Sequence, residues 1–261
     1  MGSTDRDVLL VLFRQTDGAG WRRKEGWDTS DELGKWYGVK VNEQGRVVQL
    51  NLFLNNLQGT IKELGRLTAL KELWLSNNSL TGPIPRELRN LSALETLHLR
   101  WNKLNGIIPP ELANLGALQV LILSNSNLSG SIPREVGNLN ALKELDLGYN
   151  NLTGLIPPEL GKLSALVKLD VSPNKMNGTI PSELGRLTAL KKLWLLNNNL
   201  AGKIPAALGQ LSKLKTLDLS RNELEGVIPP ELGNLGGLQS LHLRGNQLSG
   251  IVPPELGNLG A

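Results

Sequence analysis

A unit of 24 residues repeats along most of this chain, and it constrains the fold more than any other feature. In the copy LETLHLRWNKLNGIIPPELANLGA, apolar residues occupy positions 1, 4, 6, 11, 15, 19 and 22. Asparagine stands at position 9, glycine at 13 and proline at 16. A fixed period in this range predicts a solenoid of stacked coils. We place nine coils at residues 47–69, 70–93, 94–117, 118–141, 142–165, 166–189, 190–213, 214–237 and 238–261.

The order of residues within one coil predicts a strand, a turn and a short helix. Leu94 and Leu97 begin a near alternation with polar residues, which is typical of a strand with one buried face. Gly106 permits a backbone turn, and the strand must end by Pro109 because proline cannot donate a ladder hydrogen bond. The segment PELANL then places proline and Glu111 in a first helical turn, where both are favourable. We expect a short α-helix or 3₁₀ turn there.

The stacking of coils must supply the stability, since one coil cannot cover its own two apolar ends. The asparagine at position 9 recurs in every coil except the fourth, where Ser126 replaces it. Buried backbone groups need hydrogen-bond partners, so we expect this column to bond the backbone of the neighbouring coil. The same argument predicts a locally looser structure around Ser126.

Residues 1–46 precede the first coil and are predicted to form an N-terminal cap. Thr4, followed by Asp5 and Asp7, is typical of a helix start. The segment from Trp36 to Leu52 contains a polar turn at 42–45 and is predicted to form a hairpin. The three tryptophans of residues 1–46 are expected to cover the open end of the solenoid, because a capping surface needs large apolar side chains.

Composition excludes several classes of function. The chain has no cysteine, so it has neither a disulfide nor a thiolate metal site. Its net charge of +4 is dispersed, which argues against nucleic acid, and no apolar run is long enough for membrane insertion. We expect no cofactor. The missing cysteine pairs and signal peptide favour a cytoplasmic protein, with an extracellular one possible if the opening Met-Gly-Ser replaced a removed segment.

The run LxxLxLxxNxLxGxIPxxLGxL, as in Leu142 to Leu163, resembles the plant-type leucine-rich repeat family. The cap resembles the N-terminal cap of that family, whose W-x-G-V core matches Trp36, Gly38 and Val39. Gly34 and Val41 stand where plant receptors carry cysteines, so the cap is similar to cysteine-free caps of algal, oomycete and bacterial leucine-rich repeat proteins. The resemblance implies an α/β repeat fold. This is a right-handed, curved solenoid with a parallel concave β-sheet, short 3₁₀ or helical convex segments and a helix-plus-hairpin cap.

Positions 2, 3, 5, 7 and 8 of each coil face outward from the predicted sheet, and they vary while the core positions barely change. Exposed aromatic and arginine side chains are not needed to stack the coils, and such residues often contribute most of the binding energy of an interface. We therefore expect ligand-binding residues on coils two to five at Trp74, His98, Arg100, Trp101, Ile122 and Tyr149, and a second group at Trp194 and Leu196.

The predicted function is non-catalytic recognition of a protein, peptide or glycan, as part of a larger receptor or signalling protein of immune or Roco-like type. The alternative is a structural or designed scaffold without a ligand. Asp146 and Asp170 share a column at the separation of a retaining glycosidase pair, but we expect an open, solvent-washed site without a pocket and hence no catalysis. His98 and His242 lie six coils apart, so no metal site is expected.

The far end of the chain has no predicted C-terminal cap. The ninth coil repeats the apolar residues of the interior coils, and the chain stops at Gly260 and Ala261, where a tenth would open. We expect an excised fragment or self-association through this end.

Overall fold

The computed structural model describes residues 4–259. It contains two compact units, Met1–Leu128 and Ser129–Ala261, which are described separately below. The Met-Gly-Ser opening and the Gly260-Ala261 end, on which two of the sequence predictions rest, lie outside the described residues.

The first unit begins with helix α1 (Asp5–Gln15). Short 3₁₀ segments follow at Gly18–Gly20, Leu33–Lys35, Lys62–Arg66, Arg86–Asn90 and Pro110–Asn114. Its strands are β1 (Val39–Val41), β2 (Val47–Asn51), β3 (Gln58–Gly59), β4 (Glu72–Trp74), β5 (Ser79–Pro83), β6 (Thr96–His98), β7 (Lys103–Gly106), β8 (Val120–Ile122) and β9 (Asn127–Gly130), the last of which extends past Leu128.

The second unit repeats the strand and 3₁₀ pattern. Its strands are β10 (Glu144–Asp146), β11 (Asn151–Gly154), β12 (Lys168–Asp170), β13 (Lys175–Met176), β14 (Lys192–Trp194), β15 (Ala201–Lys203), β16 (Thr216–Asp218), β17 (Glu223–Val227), β18 (Ser240–His242) and β19 (Gln247–Ser249). Its 3₁₀ segments are Arg134–Asn138, Pro158–Lys162, Ser182–Arg186, Ala206–Gln210, Pro230–Asn234 and Pro254–Asn258.

Parallel pairing between coils builds the main sheet of each unit. In the first unit β2 pairs with β4, β4 with β6 and β6 with β8. In the second, β10, β12, β14, β16 and β18 pair in that order. Equivalent repeat positions lie opposite each other, as with Trp74 and His98. The columns read from the sequence are therefore real rows of neighbouring side chains.

The cap has the predicted helix and hairpin. Thr4 and Asp7 form a reciprocal capping box at the start of α1, and β1 pairs antiparallel with β2. Trp21, Trp27 and Trp36 are all buried, with ring centroids 4.7 Å apart for the first two and 5.0 Å for the last two. These tryptophans belong to the core, as the sequence predicted.

The asparagine column joins adjacent coils through backbone hydrogen bonds. Asn174 Oδ1 accepts the N–H of Leu152 at 2.9 Å, and its amide nitrogen donates to the carbonyls of Leu147 at 3.0 Å and Val171 at 2.8 Å. The leucine positions of the first eight coils are almost fully buried beside it, whereas most of those in the ninth coil are only partly buried. Together with the 3₁₀ turns, these features confirm a leucine-rich repeat solenoid.

Candidate functional site

The alternation of buried and outward side chains on each short strand creates the candidate surfaces. In β4, Leu73 is fully buried while Trp74 beside it is only half-buried, and β6 repeats this with Leu97 and His98. Because successive side chains of a strand point to opposite faces, the column at position 5 faces away from the leucine core.

The aromatic surface of the first unit consists of Phe53, Trp74, His98, Arg100 and Trp101. The rings of Trp74 and His98 stack, with centroids 4.0 Å apart and an interplanar angle of 22°. The Trp74 indole N–H donates to Glu72 Oε2 at 3.1 Å, which fixes the ring and occupies that carboxylate. The Arg100 guanidinium lies 6.0 Å from the centre of the Trp101 ring. This surface is therefore a preorganised group of planar side chains.

These residues enclose a shallow depression of about 360 Å³, which also includes Ser76 and Asn77. Ser76 is only 6 % exposed, and its hydroxyl has no hydrogen-bond partner among the described residues. A buried polar group without a partner is unfavourable by about 1–3 kcal/mol.

Trp101 occupies a backbone position that disfavours large side chains. Its φ is 55°, in the left-handed region, and its side chain is 52 % exposed. The equivalent position of other coils holds Asn77, Asn125 and Asn197, which also have positive φ. Asparagine adopts this conformation readily, whereas a bulky residue there is strained by about 1–2 kcal/mol. An exposed tryptophan thus stands where folding alone favours asparagine or glycine.

The structure brings together four of the six residues predicted for this surface. Trp74, His98, Arg100 and Trp101 line one depression, but Ile122 is only 4 % exposed. The expectation that Ile122 offers contact area is corrected, because its side chain is covered although its position lies in the outward column. Tyr149 is 61 % exposed and belongs to the second unit.

Sequence reasoning missed Phe53 and Leu54, which are 48 % and 45 % exposed. Both stand at outward positions of the first coil, 7 and 8, where the other coils mostly carry polar residues. Their apolar character at those positions was the signal that could have identified them.

The second predicted group has a different environment. Trp194 and Leu196 are half-buried in the second unit. The ammonium groups of Lys168 and Lys192 lie 5.2 and 5.4 Å from the Trp194 ring centre. The ring is therefore already engaged by two cations within the chain, which leaves less of its face for a ligand.

Asp146 and Asp170 are opposite each other in neighbouring strands, as the column predicted. The expected open, solvent-washed site is corrected, since Asp146 is only 5 % exposed and its carboxylate lies 3.9 Å from Lys168 Nζ. Asp170 Oδ1 accepts the backbone N–H of Ser172 at 2.9 Å and its hydroxyl at 2.7 Å. Asp218 accepts the N–H of Ser220 in the same way, at 3.0 Å. These acids thus close the turn after each strand.

The pKa of the Asp170 carboxyl is raised to about 6, mainly because the group is buried. The charge of Asp146 adds to the rise, while the Ser172 hydrogen bonds and Lys168 oppose it. This perturbation has a structural cause in the turn and the neighbouring acid. It therefore does not by itself indicate catalysis.

Two other kinds of site are absent from residues 4–259. No group of three or more histidine, cysteine or acidic side chains is placed to hold a metal ion. No helix in that range has the length and apolar character needed to cross a bilayer.

The repeated strand and 3₁₀ coils define a leucine-rich repeat fold. A family model described as "Leucine-rich repeat region" matches residues 43–174 and 111–249. The chain belongs to the leucine-rich repeat family.

Similar proteins include plant receptors. A leucine-rich repeat receptor-like serine/threonine-protein kinase, SKM1 of Arabidopsis thaliana, is 40 % identical over 83 residues, which is 30 % of this chain and 9 % of the kinase. The ectodomain of the membrane receptor kinase GASSHO1/SCHENGEN3 from the same plant, in complex with CASPARIAN STRIP INTEGRITY FACTOR 2, is 38 % identical. Its TM-score is 0.88 over 97 % of this chain and 31 % of that chain.

The ectodomain of the Arabidopsis receptor kinase HAESA, in complex with an extended IDA peptide hormone, is 34 % identical, with a TM-score of 0.82 over 98 % of this chain and 44 % of that chain. This chain thus spans less than half the length of each of these relatives. Since the two structures are described as ectodomains of receptor kinases, the comparisons do not support the expectation of a cytoplasmic protein.

Proposed function

We propose that this chain is a non-catalytic recognition module that binds a peptide on the aromatic surface of its first unit, as part of a longer receptor-like protein. The peptide hormone bound to the HAESA ectodomain supports a peptide over a glycan. The description of both similar structures as ectodomains supports an extracellular setting. That the parent protein is an immune or Roco-like signalling protein stays a prediction.

The observation that carries the proposal is the exposed Trp101 on a left-handed backbone. Folding stability favours asparagine or glycine at this position, and the structure holds Asn77, Asn125 and Gly245 there in other coils. Strain of this kind is concentrated at functional sites. Leu54, Tyr149 and Arg221 share this conformation in other coils, but of these bulky residues it is Trp101 that lines the aromatic depression. A binding role for the Trp101 ring explains why the strain is retained there.

The depression beside Trp101 supports the same conclusion. It combines the exposed Phe53 and Trp101 rings with the polar residues Asn77 and Arg100. Aromatic rings supply large contact area at a small loss of side-chain entropy, and a few polar groups fix the ligand's orientation. An extended peptide presents both apolar side chains and backbone hydrogen-bonding groups to such a surface.

The test is selection of a random peptide display library on the immobilised chain, followed by affinity measurement of the enriched peptides. The Trp101→Asn variant should weaken their binding at least about tenfold, because loss of an anchoring tryptophan typically exceeds 2 kcal/mol. Arg221→Asn is the matched control, since Arg221 occupies the same repeat position with a φ of 54° in the second unit. It should leave affinity unchanged.

Enriched peptides that bound both variants equally would place recognition elsewhere. Failure to enrich any peptide would favour the alternative of a scaffold without a ligand. Circular dichroism of both variants establishes that they are folded.

A further inference from the structure

We propose that the ligand of the aromatic surface is an acidic peptide whose charged residues contact Lys40 in the cap and Arg100 in the third coil, with an apolar residue between them in the depression. This inference rests on the proposed function and specifies the chemistry of its ligand. It adds the cap hairpin to the binding surface, which the sequence prediction confined to the repeats.

A second depression adjoins the first. It measures about 300 Å³ and is lined by Tyr37, Gly38, Val39, Lys40, Gln49 and Asn51. Asn51 lies opposite Trp74 in the paired strands β2 and β4, so the two depressions occupy neighbouring strands of one sheet. The Phe53 backbone N–H donates to Asn51 Oδ1 at 3.2 Å, which links their walls directly. A ligand crossing these strands would contact both.

Each depression carries an exposed cation that lacks an acidic partner. Within the described residues, no carboxylate oxygen lies within 4.0 Å of the Lys40 ammonium or the Arg100 guanidinium. The nearby Glu72 carboxylate accepts the Trp74 indole hydrogen bond instead. A third cation, Arg23, stacks 4.0 Å above the Tyr37 ring at the edge of the second depression, but it is already paired with Glu25 at 3.6 Å and adds no free charge. Both ends of the surface therefore favour negative charge.

The middle of the surface is apolar and aromatic. Phe53 and Trp101 are about half exposed, and the stacked Trp74 and His98 lie beside them. Charge at both ends and apolar rings between them predict a complementary ligand with acids at its ends and an apolar side chain between them.

Strand geometry sets the spacing of the ligand's acids. Lys40 and Arg100 are separated by three strand spacings and about four residues along the strands, or about 19 Å at 4.8 Å per strand and 3.3 Å per residue. An extended peptide covers this distance in about six residues. The two acidic residues should therefore stand about six positions apart.

The defined probe is an amidated heptapeptide with aspartate at both ends, phenylalanine in the centre and glycine or serine elsewhere. Versions with asparagine or lysine in place of both aspartates differ only in charge. Affinity for the full chain should fall in the order aspartate, asparagine, lysine, and the preference should weaken as salt rises from about 0.05 to 0.5 M. A version with adjacent aspartates tests the spacing and should bind more weakly.

Lys40→Gln and Arg100→Gln should each lower the affinity for the aspartate peptide about threefold to fivefold, as expected for partly exposed ion pairs. The affinity for the asparagine peptide should not change. Arg244→Gln is the control, because Arg244 stands at the same repeat position as Arg100 in the ninth coil and is also exposed. It should change neither affinity.

The outcomes separate the two proposals. Peptides that bind in a Trp101-dependent manner but prefer neutral or basic ends, or ignore Lys40→Gln and Arg100→Gln, would overturn this inference and leave the recognition function standing. If neither the heptapeptides nor the display library yields Trp101-dependent binding, both proposals fail.

Discussion

Asn102 connects its own coil to the preceding one, because its Oδ1 accepts the backbone N–H of Leu80 at 3.0 Å and its amide nitrogen donates to the Leu75 carbonyl at 3.1 Å. The fourth coil lacks this connection. Ser126 stands at the same position, and its buried hydroxyl has no hydrogen-bond partner among the described residues. The shorter serine side chain thus leaves the asparagine column without its hydrogen bonds to the preceding coil at this one position.

Ser126→Asn should stabilise the chain by about 1–2 kcal/mol, because it adds hydrogen bonds to buried backbone groups and removes an unpartnered hydroxyl. Urea unfolding would measure the gain. Asn174→Ser is the reciprocal control and should destabilise by a similar amount, since Asn174 makes the complete set of bonds. In the parent chain, amide exchange around Ser126 should be faster than around Asn174. Equal exchange and no gain from Ser126→Asn would contradict this account.

The left-handed backbone at position 8 makes a second prediction about stability. Trp101→Asn, Tyr149→Asn and Arg221→Asn should each raise the free energy of unfolding by about 0.5–1.5 kcal/mol, because each removes a bulky residue from positive φ. The reverse change, Asn197→Trp, should lower it by a similar amount. Thermal and urea unfolding of the four variants test this. Destabilisation by Trp101→Asn alone would mean that ring packing outweighs strain in that coil.

The raised pKa of Asp170 predicts a pH dependence of stability. Its folded pKa is about 6 against an ordinary value of 3.8, so between these values the folded state binds more protons than the unfolded state. The protonated Asp170 carboxyl therefore contributes to the free energy of unfolding below about pH 4, and this contribution is lost as the pH rises through 6. Asp170→Asn should match the parent near pH 4 and exceed its stability by about 2 kcal/mol near pH 7.5.

Asp218→Asn is the control for that experiment. Asp218 also accepts the N–H of a serine two residues later, but its neighbours in the column are Trp194 and His242 rather than another acid. This variant therefore measures what the change from aspartate to asparagine at such a turn does to stability where no second acid is adjacent. An Asp170→Asn difference that was constant from pH 4 to 7.5 would contradict the titration.

A close approach of successive 3₁₀ segments gives the fourth prediction. A Cβ added to Gly161 would lie 2.4 Å from the carbonyl oxygen of Glu183 in the next coil. Gly161→Ala should therefore destabilise by about 1–3 kcal/mol, as the coils must separate. Gly116→Ala is the control, because an added Cβ there meets nothing within 4 Å. It should be neutral or slightly stabilising in urea unfolding. Equal effects of the two substitutions would refute the packing argument.

Much of the candidate site was predictable because a repeat fixes the direction of every side chain. The period of 24 residues placed Trp74 and His98 in one column, and the structure stacks their rings. The sequence could not show that Ile122 is covered, since both an exposed and a covered isoleucine fit its outward position. Nor did it show that Lys168 and Lys192 approach the Trp194 ring, because side-chain rotamers depend on neighbours in other coils.

The sequence by itself determined the repeating strand and turn, the leucine core, the asparagine ladder and the tryptophan-filled cap. All of these follow from local periodicity and from the need to bury apolar surface and satisfy backbone hydrogen bonds. Only the tertiary structure decided that Phe53 and Trp101 flank a depression over the unpartnered Ser76 hydroxyl, and that Lys40 in the cap borders an adjoining one. These relationships join residues from separate coils, and their distances depend on how the coils pack.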